Sequence, residues 1–146
     1  MDEPVVLVGC DGTPEGDPVL RFGVEEARLR RARLVLVSAY NGPIDPDLDN
    51  FDTPRSELDA RARRRADTAL HRALHWSDAA DLPGYDIVIA QGDPVQALLD
   101  HTQHAVMIVI GNHDRPLLQQ LFSRPTSTHL LHHANIPVTI VPSRGR

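Results

Sequence analysis

Lysine is absent from this chain of 146 residues; all 15 of its basic residues are arginine, set against 20 acids. That absence removes the P-loop lysine, the Schiff-base lysine and a lysine general base together. Cysteine occurs once, at Cys10, so an internal disulfide and a thiolate zinc cluster are both excluded. Long apolar runs are also missing. The longest, Ala105 to Ile110, falls well short of the roughly 20 residues that a membrane-spanning helix needs. An acidic start, Met1-Asp2-Glu3, stands where a signal peptide would carry its basic region, so a cytoplasmic protein without a membrane partner is expected. The net charge of −5 lacks a basic footprint, and no nucleic-acid partner is expected either.

What is present has the proportions of an ordinary globular protein: 41% hydrophobic and 24% charged residues. The length suits one domain over residues 1–146, large enough to bury a core without a metal or disulfide staple. Continuous apolar runs, characteristic of strands covered on both faces, occur at Pro4–Gly9, Leu34–Tyr40, Asp86–Ala90, Val106–Ile110 and Pro137–Val141.

Between these runs lie helical patterns. Asp17 to Arg31 carries Leu20, Val24, Ala27 and Leu29 as its packing stripe, and Arg55 to Ser77 carries Leu58, Ala62, Ala66, Ala69, Leu70, Ala73 and Leu74. A third helix is expected from Val95 to His104, opened by Gly92-Asp93-Pro94 with Val95, Leu98 and Leu99 turned inward, and a short fourth around Thr126 to His133. The long irregular segment from Asn41 to Pro54, with Asp45, Asp47, Asp49 and Asp52, is close enough to the second strand to act as a lid. Strand and helix in alternation predict a single doubly wound α/β domain with a five-stranded parallel sheet and helices on both faces.

In such sheets ligands bind beyond the carboxyl ends of the strands, where the strand order reverses. Gly9-Cys10-Asp11-Gly12 and Ile110-Gly111-Asn112-His113-Asp114 stand at two such ends. Glycine there permits close approach, and an aspartate can accept from an adenine amine or a ribose hydroxyl. The same residues also serve as plain turn formers, with Asp11 capping its own turn.

Other chemistries find less support. The pairs His71/His75 and His101/His104, and the group His129, His132 and His133, have helical spacing but no other residue type clusters with them, so solvated helix faces and no metal are expected. A Gly-x-Ser-x-Gly elbow is absent, and Asp11 beside Cys10 raises rather than lowers the thiol's pKa, so no catalytic residue is assigned and no enzyme is expected. Arg61, Arg63, Arg64 and Arg65 could meet phosphate, but Glu57, Asp59 and Asp67 flank them, and a solvated face is the expectation.

The residues at 6–14, Val-Leu-Val-Gly-Cys-Asp-Gly-Thr-Pro, together with Gly92-Asp93-Pro94 and the closing stretch from His129 to Val141, resemble the universal stress protein family along nearly the whole chain. The resemblance implies a five-stranded parallel α/β domain acting in stress regulation. It also implies a homodimer paired through the last strand, Val138, Thr139, Ile140 and Val141, with an unidentified protein partner as a further expectation.

In the family's ATP-binding branch a glycine is followed by two residues, a glycine, nine residues, a glycine, then serine or threonine, cradling the phosphates. Here only Gly111 survives. Asp114 replaces the second glycine, Arg124 the third and Pro125 the hydroxyl residue. Asp114 brings a carboxylate toward phosphate, a repulsion of about 4 kcal/mol at ~4 Å and an effective dielectric near 20. Arg124 adds a side chain where backbone must come close, its charge partly offsetting Asp114, while Pro125 offers neither N–H nor hydroxyl.

The adenosine half matches the family better: Gly9, Cys10, Asp11, Ala39, Ile110 and Gly111. The resemblance therefore implies a regulator that does not bind ATP in the usual way and needs no cofactor. The alternative is an adenine-nucleotide module taking ATP or AMP through Asp11 and the Gly111 loop, with Asp114 and Arg124 at its phosphate side.

Overall fold

A computed structural model describes residues 3–111 and 136–142. Its elements are β1 (Val5–Gly9), α1 (Asp17–Arg30), β2 (Arg33–Tyr40), α2 (Arg55–Ser77), β3 (Tyr85–Gln91), α3 (Pro94–Leu99), β4 (Ala105–Gly111) and β5 (Val138–Val141). A short 3-10 turn, Pro14–Gly16, leads into α1. The five strands form one parallel sheet in the order β3-β2-β1-β4-β5. The expected helix at 126–133 lies outside the described residues.

Alternation along each strand divides the core in two. Val6, Val8, Leu34, Leu36, Met107 and Val109 face α1 and α2. Leu7, Val37, Ile108 and Ile110 face α3, where Val95, Ala97 and Leu98 cover them. Every strand of the sheet's centre is thus apolar on both sides, the reason these runs read as continuous rather than alternating.

On α1 the stripe is Val19, Leu20, Gly23, Val24 and Ala27. Leu29, expected inward, is 75% exposed instead. At about 100° per residue it lies some 200° beyond Ala27, on the solvent side. Gly23 permits the closest approach in this layer: a Cβ there would meet Val8 Cγ2 at 2.5 Å. The packing face expected for α2 is buried at Leu58, Ala62, Ala66, Ala69, Leu70 and Ala73, with Leu74 partly buried.

The third helix is shorter than the sequence pattern suggests, ending at Leu99 rather than His104. The backbone closes in a tighter turn, with His101 N–H donating to Leu98 O at 3.0 Å and Thr102 Oγ1 donating to Leu99 O at 3.2 Å. His104 then takes a left-handed φ of 64°, which turns the chain into β4. A threonine hydroxyl competing for a helical carbonyl is a common way for a helix to stop. The start of α3 is as expected, Asp93 Oδ1 accepting from Val95 N–H at 3.0 Å ahead of Pro94.

The segment between β2 and α2 is held by its own polar groups. Asp49, whose side chain is fully buried, accepts from Asp45 N–H at 2.8 Å and Ile44 N–H at 3.2 Å, and pairs with Arg61 at 2.6 Å. Burial pushes the Asp49 carboxyl up, but the Asp45 amide, the Arg61 guanidinium and the Ile44 amide outweigh it and hold it below the ordinary range. A carboxyl depressed in the folded state contributes stability above its ordinary pKa and loses that contribution as pH falls through the folded value.

Two outcomes follow from this packing. Gly23→Ala lowers stability by about 1–3 kcal/mol, read as a lower urea midpoint at an unchanged m-value, because the added methyl overpacks Val8; an unaltered midpoint would show that the helix slides aside freely. In an NMR titration the Ile44 and Asp45 amides shift together with a midpoint below about 3.9, the ordinary aspartate value. A midpoint at or above that value removes Asp49 as the anchor of the segment.

Candidate functional site

The strand order reverses between β1 and β4, which leaves a crevice at the carboxyl ends of the central strands. Two adjoining hollows open there, sharing Asp11 and Ala39. The smaller, about 70 Å³, is lined by Gly9, Cys10, Asp11, Val37, Ala39, Pro94 and Leu98. The larger, about 200 Å³, is lined by Asp11, Ser38, Ala39, Tyr40, Asn41, Pro43, Ile44, Ala62 and Arg65.

Asp11 sits at the mouth, exposed, and Oδ1 accepts from Thr13 N–H at 2.9 Å and from Thr13 Oγ1 at 2.6 Å. The turn-forming reading of Asp11 is therefore correct, and it leaves Oδ2 without a hydrogen-bond partner among the described residues. One carboxylate oxygen fixes the turn, and Asp11 lines both hollows. Gly12 completes the turn at φ +81°; a Cβ there would meet Arg65 Cγ at 2.7 Å and the Arg65 backbone at 3.2 Å. The turn after β1 is thus seated directly on α2. Gly9 has a different role, letting the Leu98 methyls of α3 come within 3.3 Å of where its Cβ would be.

Of the residues singled out from sequence, Gly9, Cys10, Asp11 and Ala39 come together around the smaller hollow. Ile110 does not line either hollow: it is fully buried in the layer under α3. Gly111 ends β4 beside Val141 of β5 and is also outside both linings. Asp114 and Arg124 lie outside the described residues, as do His113 and Pro125.

Tyr40 forms the wall toward α2. Its hydroxyl donates to the Asp59 carboxylate, and burial followed by that carboxylate holds the phenol above its ordinary range. With its proton committed to Asp59, Tyr40 presents ring to the hollow rather than a donor. Beside it the first residues of the 41–54 segment, Asn41, Pro43 and Ile44, close the rim.

Arg65 is the residue that sequence reasoning passed over. The arginine run was expected to be a solvated face, and Arg63 and Arg64 are exposed. Arg61 and Arg65 depart from it: Arg61 reaches the buried Asp49, and Arg65 lines the larger hollow with Nη2 3.5 Å from Ile44 O. The available signal was spacing, since 58, 62 and 66 form the packing face of α2 and 61 and 65 flank it at i, i+4. Among the described residues no group of three or more His, Cys, Asp or Glu is placed to hold a metal ion. No helix among them is long and apolar enough to cross a membrane.

Comparison with known proteins gives the family. A family model described as the universal stress protein family matches residues 4–142. A universal stress protein of Mycobacterium tuberculosis (strain H37Rv) is 26% identical over 136 residues, covering 92% of this chain and 44% of the relative. One from Mycolicibacterium smegmatis is 26% identical over 141 residues, 93% of this chain and 47% of the relative. The chain thus spans less than half the length of these curated relatives.

Among solved structures, a universal stress family protein from Burkholderia pseudomallei superposes with a TM-score of 0.62 at 24% identity, covering 97% of each chain. A universal stress protein in complex with cAMP gives 0.60 at 20% identity over 97% of this chain and 98% of that one. One from Archaeoglobus fulgidus in complex with dAMP gives 0.55 at 21% identity over 95% and 97%. With its doubly wound sheet and a match over almost its whole length, the chain belongs to the universal stress protein family.

Proposed function

We propose that this chain is a regulatory binding domain, not a catalyst, that takes an adenine nucleoside or its monophosphate in the crevice over β1 and β2. The observation that carries this reading is the pair of adjoining hollows sharing Asp11, whose Oδ2 is free among the described residues to accept from a ribose hydroxyl or an adenine amine. The solved relatives bound to cAMP and dAMP support a ligand with one phosphate.

Sequence supports the same preference. Asp114, Arg124 and Pro125 replace the residues that cradle a triphosphate, so ATP is not bound in the usual way. Calorimetric titration tests this. Adenosine or AMP is expected to bind at about one per chain without turnover, magnesium-ATP to bind no more tightly than AMP, and Asp11→Ala to abolish binding. Preferential magnesium-ATP binding, or an affinity untouched by Asp11→Ala, would refute the assignment.

The same reading includes a homodimer through β5. What supports it is position: among the described residues β5 pairs with β4 alone, which leaves its other edge unpaired there, and Ile140 is 40% exposed. A second copy would cover that edge. Sedimentation of the native protein is expected to give a dimer, with Ile140→Glu shifting it toward monomer. A native monomer at high micromolar concentration would dispose of this contact.

A further inference from the structure

We infer that Arg65 is the residue that recognises the ligand's phosphate, taking over a task for which the chain no longer has a glycine-rich cradle. The inference rests on the nucleotide reading above and sharpens it to a nucleoside monophosphate. Its basis is a contrast among the arginines. Arg28, Arg30, Arg33, Arg55, Arg61 and Arg72 each pair with a carboxylate within 4.0 Å. Arg21, Arg31, Arg63, Arg64 and Arg65 have no such partner among the described residues, and of these five Arg65 is the one that lines the hollow holding the Asp11 carboxylate. Its polar contact among the described residues is a marginal one, Nη2 to Ile44 O at 3.5 Å.

A guanidinium and a carboxylate that share one hollow without closing on each other leave a donor and an acceptor facing the same space. A nucleoside monophosphate matches that arrangement. Its sugar hydroxyls or amine donate to Asp11 Oδ2, and its phosphate accepts from the planar fork of Arg65. The stem is already placed. Arg65 Cγ lies where a Cβ on Gly12 would be 2.7 Å away, so the turn that carries Asp11 and the helix that carries Arg65 are packed on each other. The head need only exchange a long contact with a neutral carbonyl for a charge-assisted one. Little ordering is then lost on binding, which favours affinity.

The discriminating experiment compares adenosine and AMP on the native chain, on Arg65→Gln and on Arg65→Lys, by calorimetry. The native protein is expected to prefer AMP. Arg65→Gln should weaken AMP by about 10- to 100-fold, the span of one charge-assisted hydrogen bond, and leave adenosine within about twofold. Arg65→Lys should recover part of the AMP affinity, keeping charge without the fork. Equal losses for both ligands would mean that Arg65 only supports the fold of the rim, and an unchanged AMP affinity would mean that it does not touch the phosphate. Either result overturns the inference while leaving the nucleoside site standing. If the native chain binds neither adenosine nor AMP, the nucleotide reading fails and the inference falls with it.

Discussion

The reversal of strand order at β1 is the constraint on which the rest of this structure depends. Connections between parallel strands are right-handed, so the two crossovers from β1 to β2 and β2 to β3 place α1 and α2 on one face. The return from β3 to β4 carries α3 to the other face, as the division of the core into two layers records. Among the described residues no helix covers the carboxyl ends of β1 and β2, and turns fill that end. The turn at Asp11 and the 41–54 segment do so, and the hollows are what they leave open.

Helix α2 connects this architecture to chemistry. Its alanine-rich face is narrow enough to lie close to the sheet and to the turn after β1, where Gly12 accepts contact with Arg65. From the edges of that face two arginines one turn apart are used differently. Arg61 neutralises the buried Asp49, which in turn collects the Ile44 and Asp45 amides and sets the shape of the rim. Arg65 is left beside the hollow with the Ile44 carbonyl as its hydrogen-bond partner among the described residues. Membership of the universal stress protein family accounts for the scaffold.

The architecture was legible because buried parallel strands impose a composition. Runs such as Val5–Gly9 and Ala105–Gly111 have apolar residues on both faces, and little else folds that way at this length. The full extent of α2 was legible from its repeat of small apolar residues. Leu29 and the end of α3 were not. One required following the helical angle past Ala27, and the other depended on a threonine hydroxyl taking a helix carbonyl, which no periodicity announces.

At the site, Gly9, Cys10, Asp11 and Ala39 could be named in advance because strand ends and turn residues mark themselves in the chain. Ile110 could not be sorted from them, since a residue at a strand end is lining or core according to which face it points to. Arg65 was passed over among three similar neighbours, its position beside the packing face of α2 being the one signal that set it and Arg61 apart from Arg63 and Arg64. The sequence by itself determined the strands, the helices, their alternation and the degraded phosphate signature, since each is a local or periodic property of neighbouring residues. Tertiary structure alone decided which arginine meets a buried aspartate and which faces an open hollow, because that choice depends on contacts between segments far apart in the chain.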